Sequence, residues 1–169
     1  MASDNVLPFE RRAPPAPPHD LDVPAALARC RAMIDALGRH DLSDEVCEAC
    51  VIMLLVNLHD LLQRARLLGQ PVAFDDQIDQ GCDVADVTEL VAKCRNAACH
   101  AWGRANGGAK AYRFHRIAGH CPRACVIDGR TLGCDYHDDV AIYYGRIRLY
   151  LHRHAGRALD ELGRLFMGA

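Results

Sequence analysis

Apolar residues recur at intervals of three and four from residue 26 to residue 101, and then the rhythm changes. Ala26, Leu27, Cys30, Met33, Ile34 and Leu37 form one helical stripe; Asp22 and Pro24 suit its first turn, and Gly38 its end. Val46, Cys47, Cys50, Met53, Leu54, Leu58, Leu61, Leu62 and Ala65 repeat the pattern over 43–68, which predicts a long central helix closed by Gly69 and Pro71. An acidic connector with Asp75, Asp76 and Asp79 leads to Asp83, a cap for a third helix that ends by Gly103. At 100° per residue, Val84, Val87, Leu90, Val91, Cys94, Ala98 and Ala101 gather on one side of it. Thr88, Glu89, Arg95, Asn96, Cys99 and His100 gather on the other.

Beyond Asn106-Gly107-Gly108 the period shortens to two. Residues 112–117 alternate, and 124–127 and 130–134 flank Asp128-Gly129, a strong hairpin signal. Residues 140–144 and 147–151 add a second hairpin about Gly145, for which an earlier-starting helix competes. A last helix over 152–166 presents Ala155, Ala158, Leu159, Leu162, Leu165 and Phe166. The expected class is mainly α, with a small antiparallel β insert at about 112–150 before the last helix. Six of the eight prolines precede residue 25, so 1–22 reads as a mobile tail and 23–169 as a single domain.

A chain of 169 residues, half of them apolar, suffices for one core without staples. A formal charge of −2 excludes a dedicated nucleic-acid coat, although basic residues thicken from Arg146 to Arg164 and offer a local surface that steers RNA or is merely solvated. Nine cysteines, an odd number with no leader before them, point to reduced thiols in a cytoplasmic protein. The apolar run 49–58 is far short of the roughly 20 residues that cross a bilayer, so no membrane partner is expected. No phosphate-cradling or dinucleotide glycine loop is present, and no cofactor is called for.

The chemistry concentrates in Arg95-Asn96-Ala97-Ala98-Cys99-His100, near the end of the third helix. An arginine, four residues and a histidine, with asparagine directly after the arginine, resembles the HEPN family of helical ribonuclease domains. A weaker likeness runs through Asn57-Leu58-His59-Asp60-Leu61-Leu62, Phe74-Asp75-Asp76 and Thr88-Glu89-Leu90 to uncharacterised bacterial HEPN-like proteins. The resemblance implies an antiparallel helical bundle that forms a homodimer, with the two motif copies meeting across the axis. It further implies Arg95, Asn96 and His100 as the catalytic residues, RNA as substrate, and a role in toxin or antiviral defence systems, where an antitoxin protein is a partner.

The residue types suit that chemistry. Metal-independent cleavage removes a proton from a ribose 2′-hydroxyl, stabilises a phosphorane and protonates the leaving oxygen. Histidine exchanges protons near neutrality, and arginine offers a permanent planar fork for phosphate oxygens. Arg95 and His100 stand roughly 140° apart on one helix, and small Ala92 and Cys99 between them leave room for a second copy to close the gap. The alternative is a non-catalytic helical dimer that binds RNA or protein with the same face.

Other constellations compete. Cys121, Cys125, Cys134 and His137, with His115 and His120 nearby, are residue types that hold tetrahedral zinc, yet their spacing matches no standard finger and two of them lie on the hairpin arms, where cysteine is commonly a small buried hydrophobe. Cys47 and Cys50 fall inside a helix and read as core. Asp75, Asp76 and Asp79 lack a calcium-loop pattern and read as loop solvation or helix caps.

Overall fold

A computed structural model describes residues 22–39, 42–79, 83–99, 114–127 and 129–168. Helix α1 (Val23–Leu37) starts where Asp22 Oδ1 accepts the Ala25 N–H at 3.1 Å, with Pro24 in the first turn. Its buried residues Ala26, Leu27, Cys30, Ile34 and Leu37 follow the apolar spacing of the sequence. Burial pushes the Cys30 thiol up to about 11, which suits an inert core residue. Helix α2 (Asp44–Leu67) buries Cys47, Val51, Leu54, Leu55, Leu58, Leu61, Leu62 and Ala65. Helix α3 (Val87–Cys99) buries Val87, Leu90, Val91, Cys94 and Ala97.

The start of α3 corrects the expected cap. Asp86 Oδ1, not Asp83, accepts the Glu89 N–H at 2.8 Å, and Glu89 Oε2 accepts the Ala85 N–H at 2.8 Å. This reciprocal pair satisfies two donors that a helix start leaves free. Asp83 has φ 49°, a left-handed conformation outside the helix. The expected extension of this helix to Gly103 and the proline-rich tail lie outside the described residues.

The larger correction concerns fold class. The chain is not an antiparallel helical bundle carrying a small β insert: the three helices are followed by five strands in two antiparallel sheets, and the described residues are 54% helical and 20% strand. Strands β1 (Phe114–Ala118), β4 (Val140–Tyr144) and β5 (Ile147–Tyr150) form one sheet in the order β1-β4-β5. Strands β2 (Cys121–Ile127) and β3 (Arg130–Cys134) form the other, turning at Gly129 with φ 76°. The Gly145 hairpin forms as strands rather than as an early helix.

The physical reason is the burial of β4 on both faces. Val140, Ile142 and Tyr144 join the helical core, while Ala141 and Tyr143 join a second cluster with Leu132, Cys134 and Tyr150. Five consecutive apolar residues suit such a strand, whose faces alternate with period two. The three-stranded sheet is therefore a middle layer between helices and hairpin, and the fold is mixed α/β.

The expected helix over 152–166 begins instead as a π-helical turn (Leu151–Gly156) and continues as α4 (Arg157–Met167). Two side chains shape the wide turn. Asp139 accepts the N–H groups of His152 and Arg153 at 2.8 and 3.0 Å, and His154 Nδ1 accepts the Tyr150 N–H at 3.0 Å. His154 Nε2 then carries the proton and donates to the Asp76 carbonyl at 3.1 Å. Burial, first of all, holds the His154 imidazole below its ordinary pKa, against the raising effect of its bond to Asp76.

That depression has a defined sign. The unfolded chain takes up a proton as pH falls through about 6.5 while the folded chain refuses it, so stability is complete above that value and declines below it. Urea unfolding is expected to show stability falling as pH drops below about 6.5, with a slope no steeper than ~1.4 kcal/mol per pH unit. His154→Gln removes this slope; an unchanged slope in the variant would contradict the assignment.

Candidate functional site

The α2–α3 seam presents a groove of about 490 Å³ lined by Gln63 and Arg66 of α2, by Thr88, Glu89 and Ala92 of α3, and by Pro71, Ala73 and Asp86. Its polar side chains have fixed tasks at the helix start. Thr88 Oγ1 donates to the Val72 carbonyl at 2.6 Å, and Asp86 and Glu89 accept backbone N–H groups. The bond from Ala85 holds the Glu89 carboxyl below its usual range, and Lys93 stands 3.6 Å from it.

Continuing along the outer side of α3, two turns from Thr88, Arg95 is half-buried beside exposed Asn96. Arg95 Nη1 donates to Asn96 Oδ1 at 3.2 Å, whereas its Nε is buried with no hydrogen-bond partner. No carboxylate among the described residues pairs with this guanidinium. Cys99 is exposed at the helix end. Of the three residues expected at the site, the structure places Arg95 and Asn96 side by side; His100 lies outside the described residues.

Strand β4 packs under the other end of α3, near Cys94 and Cys99. The Tyr144 hydroxyl is buried without a partner at the seam; burial first, and then the proximity of Glu48, Cys94 and Cys99, pushes its pKa well up. Tyr144 thus serves as a neutral packing surface beneath the end of α3. Its identity was hidden in a uniformly apolar run.

Several of the late basic residues are already paired with carboxylates. Arg148 bridges Asp79 at 2.6 Å and Asp135 at 2.9 Å, Arg130 pairs with Asp79 at 2.9 Å, Arg153 pairs with Asp138 and Asp139 at 2.9 and 3.1 Å, and Arg157 binds Asp76 at 2.7 Å. Asp76 and Asp79 of the acidic connector are counter-charges of this segment, which corrects their reading as loop solvation. The Arg157 bond holds the Asp76 carboxyl low, as the Tyr150 hydroxyl, ahead of Arg148, does for Asp135.

The cysteine and histidine set is dispersed. Among the described residues no group of three His, Cys, Asp or Glu side chains is gathered so that it could hold a metal ion. A register shift between Cys121 and Cys125 is the cause: Cys121 faces Cys134 across the hairpin, but Cys125 faces Leu132. Cys134 is buried and donates to the Tyr136 and Asp139 carbonyls, Cys125 is exposed, and His137 stacks on His120.

No protein-family model, curated protein or solved structure matches this chain. Among the described residues no helix is long and apolar enough to cross a membrane.

Proposed function

We propose that this protein is a metal-independent endoribonuclease whose site gathers Arg95, Asn96 and His100 where two copies of α3 face each other. The observation that carries the reading is the state of Arg95. Four arginines in the second half of the chain are neutralised by carboxylates, whereas among the described residues this guanidinium meets the amide of Asn96 and no carboxylate. A planar cation with no carboxylate partner among the described residues suits the oxygens of a phosphodiester and of the phosphorane it becomes.

The remaining parts are assigned by their chemistry. Asn96 fixes the guanidinium, and His100 takes the 2′-hydroxyl proton near neutral pH. The 2′-oxygen attacks phosphorus, the bond to the 5′-oxygen breaks, and the product ends in a 2′,3′-cyclic phosphate. Homodimer formation is supported by apolar side chains that α2 exposes: Val46 is 47% exposed and Met53, two turns on, 49%. The hexapeptide's resemblance to HEPN ribonucleases supports the same activity, and with it a cytoplasmic role as a toxin or defence component restrained by an antitoxin protein.

Substitution separates catalysis from scaffolding. Arg95→Ala and His100→Ala are each expected to lower cleavage of single-stranded RNA by about 10²–10³-fold. The dimer mass in analytical ultracentrifugation and the melting temperature stay unchanged. A variant that falls apart into monomers, or binds RNA less while wild type cleaves none, would instead favour the non-catalytic binding module.

A further inference from the structure

The cysteines of the hairpin do not gather round a metal, but two of them are brought face to face. Cys121, at the start of β2, is the register partner of Cys134, at the end of β3. Residues directly opposed in an antiparallel ladder have Cα atoms about 4.5–5.5 Å apart and side chains on the same face. A disulfide spans Cα separations of about 4.4–6.8 Å, so the backbone already stands at the right distance. Contacts outside the ladder hold the same two segments together. The Gly119 N–H donates to the Asp139 carbonyl at 2.9 Å, His120 Nδ1 donates to the Asp135 carbonyl at 2.9 Å, and the His120 ring stacks on His137. A methyl group on Gly133 would stand 2.7 Å from the Cys121 carbonyl oxygen, which shows how closely the chain before Cys134 lies against Cys121.

The two thiols differ in access. Both are free, but Cys121 is exposed, whereas Cys134 has no exposed surface and directs its S–H to the Tyr136 and Asp139 carbonyls at 3.4 and 3.6 Å. Cys125, also in β2, is exposed but faces Leu132 beyond the register shift. One thiol is thus open to a reagent from solvent, and the other is approached from its neighbour across the ladder.

From this placement we infer that Cys121 and Cys134 are a reversible redox pair, oxidised to an intramolecular disulfide by a small disulfide of the glutathione class. The Cys121 thiol releases its proton to solvent and its sulfur attacks one sulfur of the small disulfide; that S–S bond breaks and one glutathione thiolate leaves. Cys121 then carries the other half as a mixed disulfide. The Cys134 thiol releases its proton, its sulfur attacks Cys121 Sγ, and the second glutathione thiolate leaves. Two protein thiols are oxidised, and one small disulfide is reduced to two thiols that take up the two protons. The new bond fastens β2 to β3 where the hairpin meets the middle sheet, since Cys134 packs with Ala141, Tyr143 and Tyr150. Reduced glutathione reverses it by the same steps.

The test equilibrates the full chain with about a tenfold excess of oxidised over reduced glutathione, then quenches with acid, alkylates the remaining thiols and digests with trypsin. Cleavage after Arg116, Arg123, Arg130 and Arg146 places Cys121, Cys125 and Cys134 in separate peptides. Mass spectrometry is expected to find the Cys121 and Cys134 peptides linked, with the intact protein keeping the covalent mass of one chain, and to find them parted after excess reduced glutathione. With Cys134→Ala the Cys121 peptide retains one glutathione; with Cys121→Ser the Cys134 peptide is alkylated and carries no disulfide. Cys121 is exposed, so Cys121→Ser tests the pair even where replacing buried Cys134 disturbs packing. Amide exchange in β2 and β3 of the oxidised wild type is expected to slow about tenfold or more, and in Cys121→Ser to stay unchanged by the same treatment. A Cys134 peptide that remains alkylated in the wild type, a link from Cys121 to Cys125, or a link formed only between two chains would overturn the pairing.

Discussion

Asp139→Ala is expected to cost about 3–5 kcal/mol in urea unfolding, because it removes a buried charge from the centre of four hydrogen bonds. The carboxylate has no exposed surface and accepts the N–H groups of Val140, His152 and Arg153 at 2.7, 2.8 and 3.0 Å, and Arg153 Nη1 at 3.1 Å. The Asp139 carbonyl also accepts the Gly119 N–H at 2.9 Å. One residue therefore ties the end of β1, the start of β4 and the first turn after β5. Alanine leaves the buried donors unmatched and removes the cap that shapes the π-helical turn. Asparagine in its place would keep the volume but present an amide N–H to some of those donors, so Asp139→Asn is expected to fall between wild type and alanine. A loss below about 1 kcal/mol for Asp139→Ala would show that the surrounding donors find water instead.

Gly133→Ala is the second substitution with a large expected effect, and the cause is space rather than backbone angle. A methyl group there would stand 2.2 Å from the Pro122 carbonyl oxygen, 2.4 Å from its carbon and 2.7 Å from the Cys121 oxygen. All three are backbone atoms, so β2 itself has to move. The Tyr143 hydroxyl accepts the Gly133 N–H at 3.0 Å and donates to its carbonyl at 2.7 Å, locking the hairpin against the three-stranded sheet. Displacement breaks that bridge and opens the cluster of Leu132, Cys134, Ala141, Tyr143 and Tyr150. The expected loss is about 2–3 kcal/mol, with faster amide hydrogen exchange in β2 and β3 than in α2. Uniform exchange across both regions would mean that the hairpin does not loosen as a unit.

How far the sequence revealed this molecule varies by element. The stripes of α1 and α2 were legible because each faces one apolar layer, and the Asp128-Gly129 and Gly145 turns because glycine accepts the positive φ that the hairpins require. The middle sheet was undervalued because Val140 to Tyr144 is apolar at every position: such a run states burial but not what lies on either side. The ion pairs from Asp76 and Asp79 to arginines over fifty residues away leave no local pattern. A bulge in β2, invisible in spacing alone, separates the cysteines. At the candidate site the polar side of α3 was legible in its period, including Arg95 and Asn96.

The most direct test of the ribonuclease account is incubation of the wild-type protein with end-labelled single-stranded RNA in excess EDTA, with the new termini identified. The account predicts fragments ending in 2′,3′-cyclic phosphate, at an undiminished rate without metal and at a rate lowered with Arg95→Ala. Intact RNA, or cleavage that appears only when a divalent cation is restored, would contradict it.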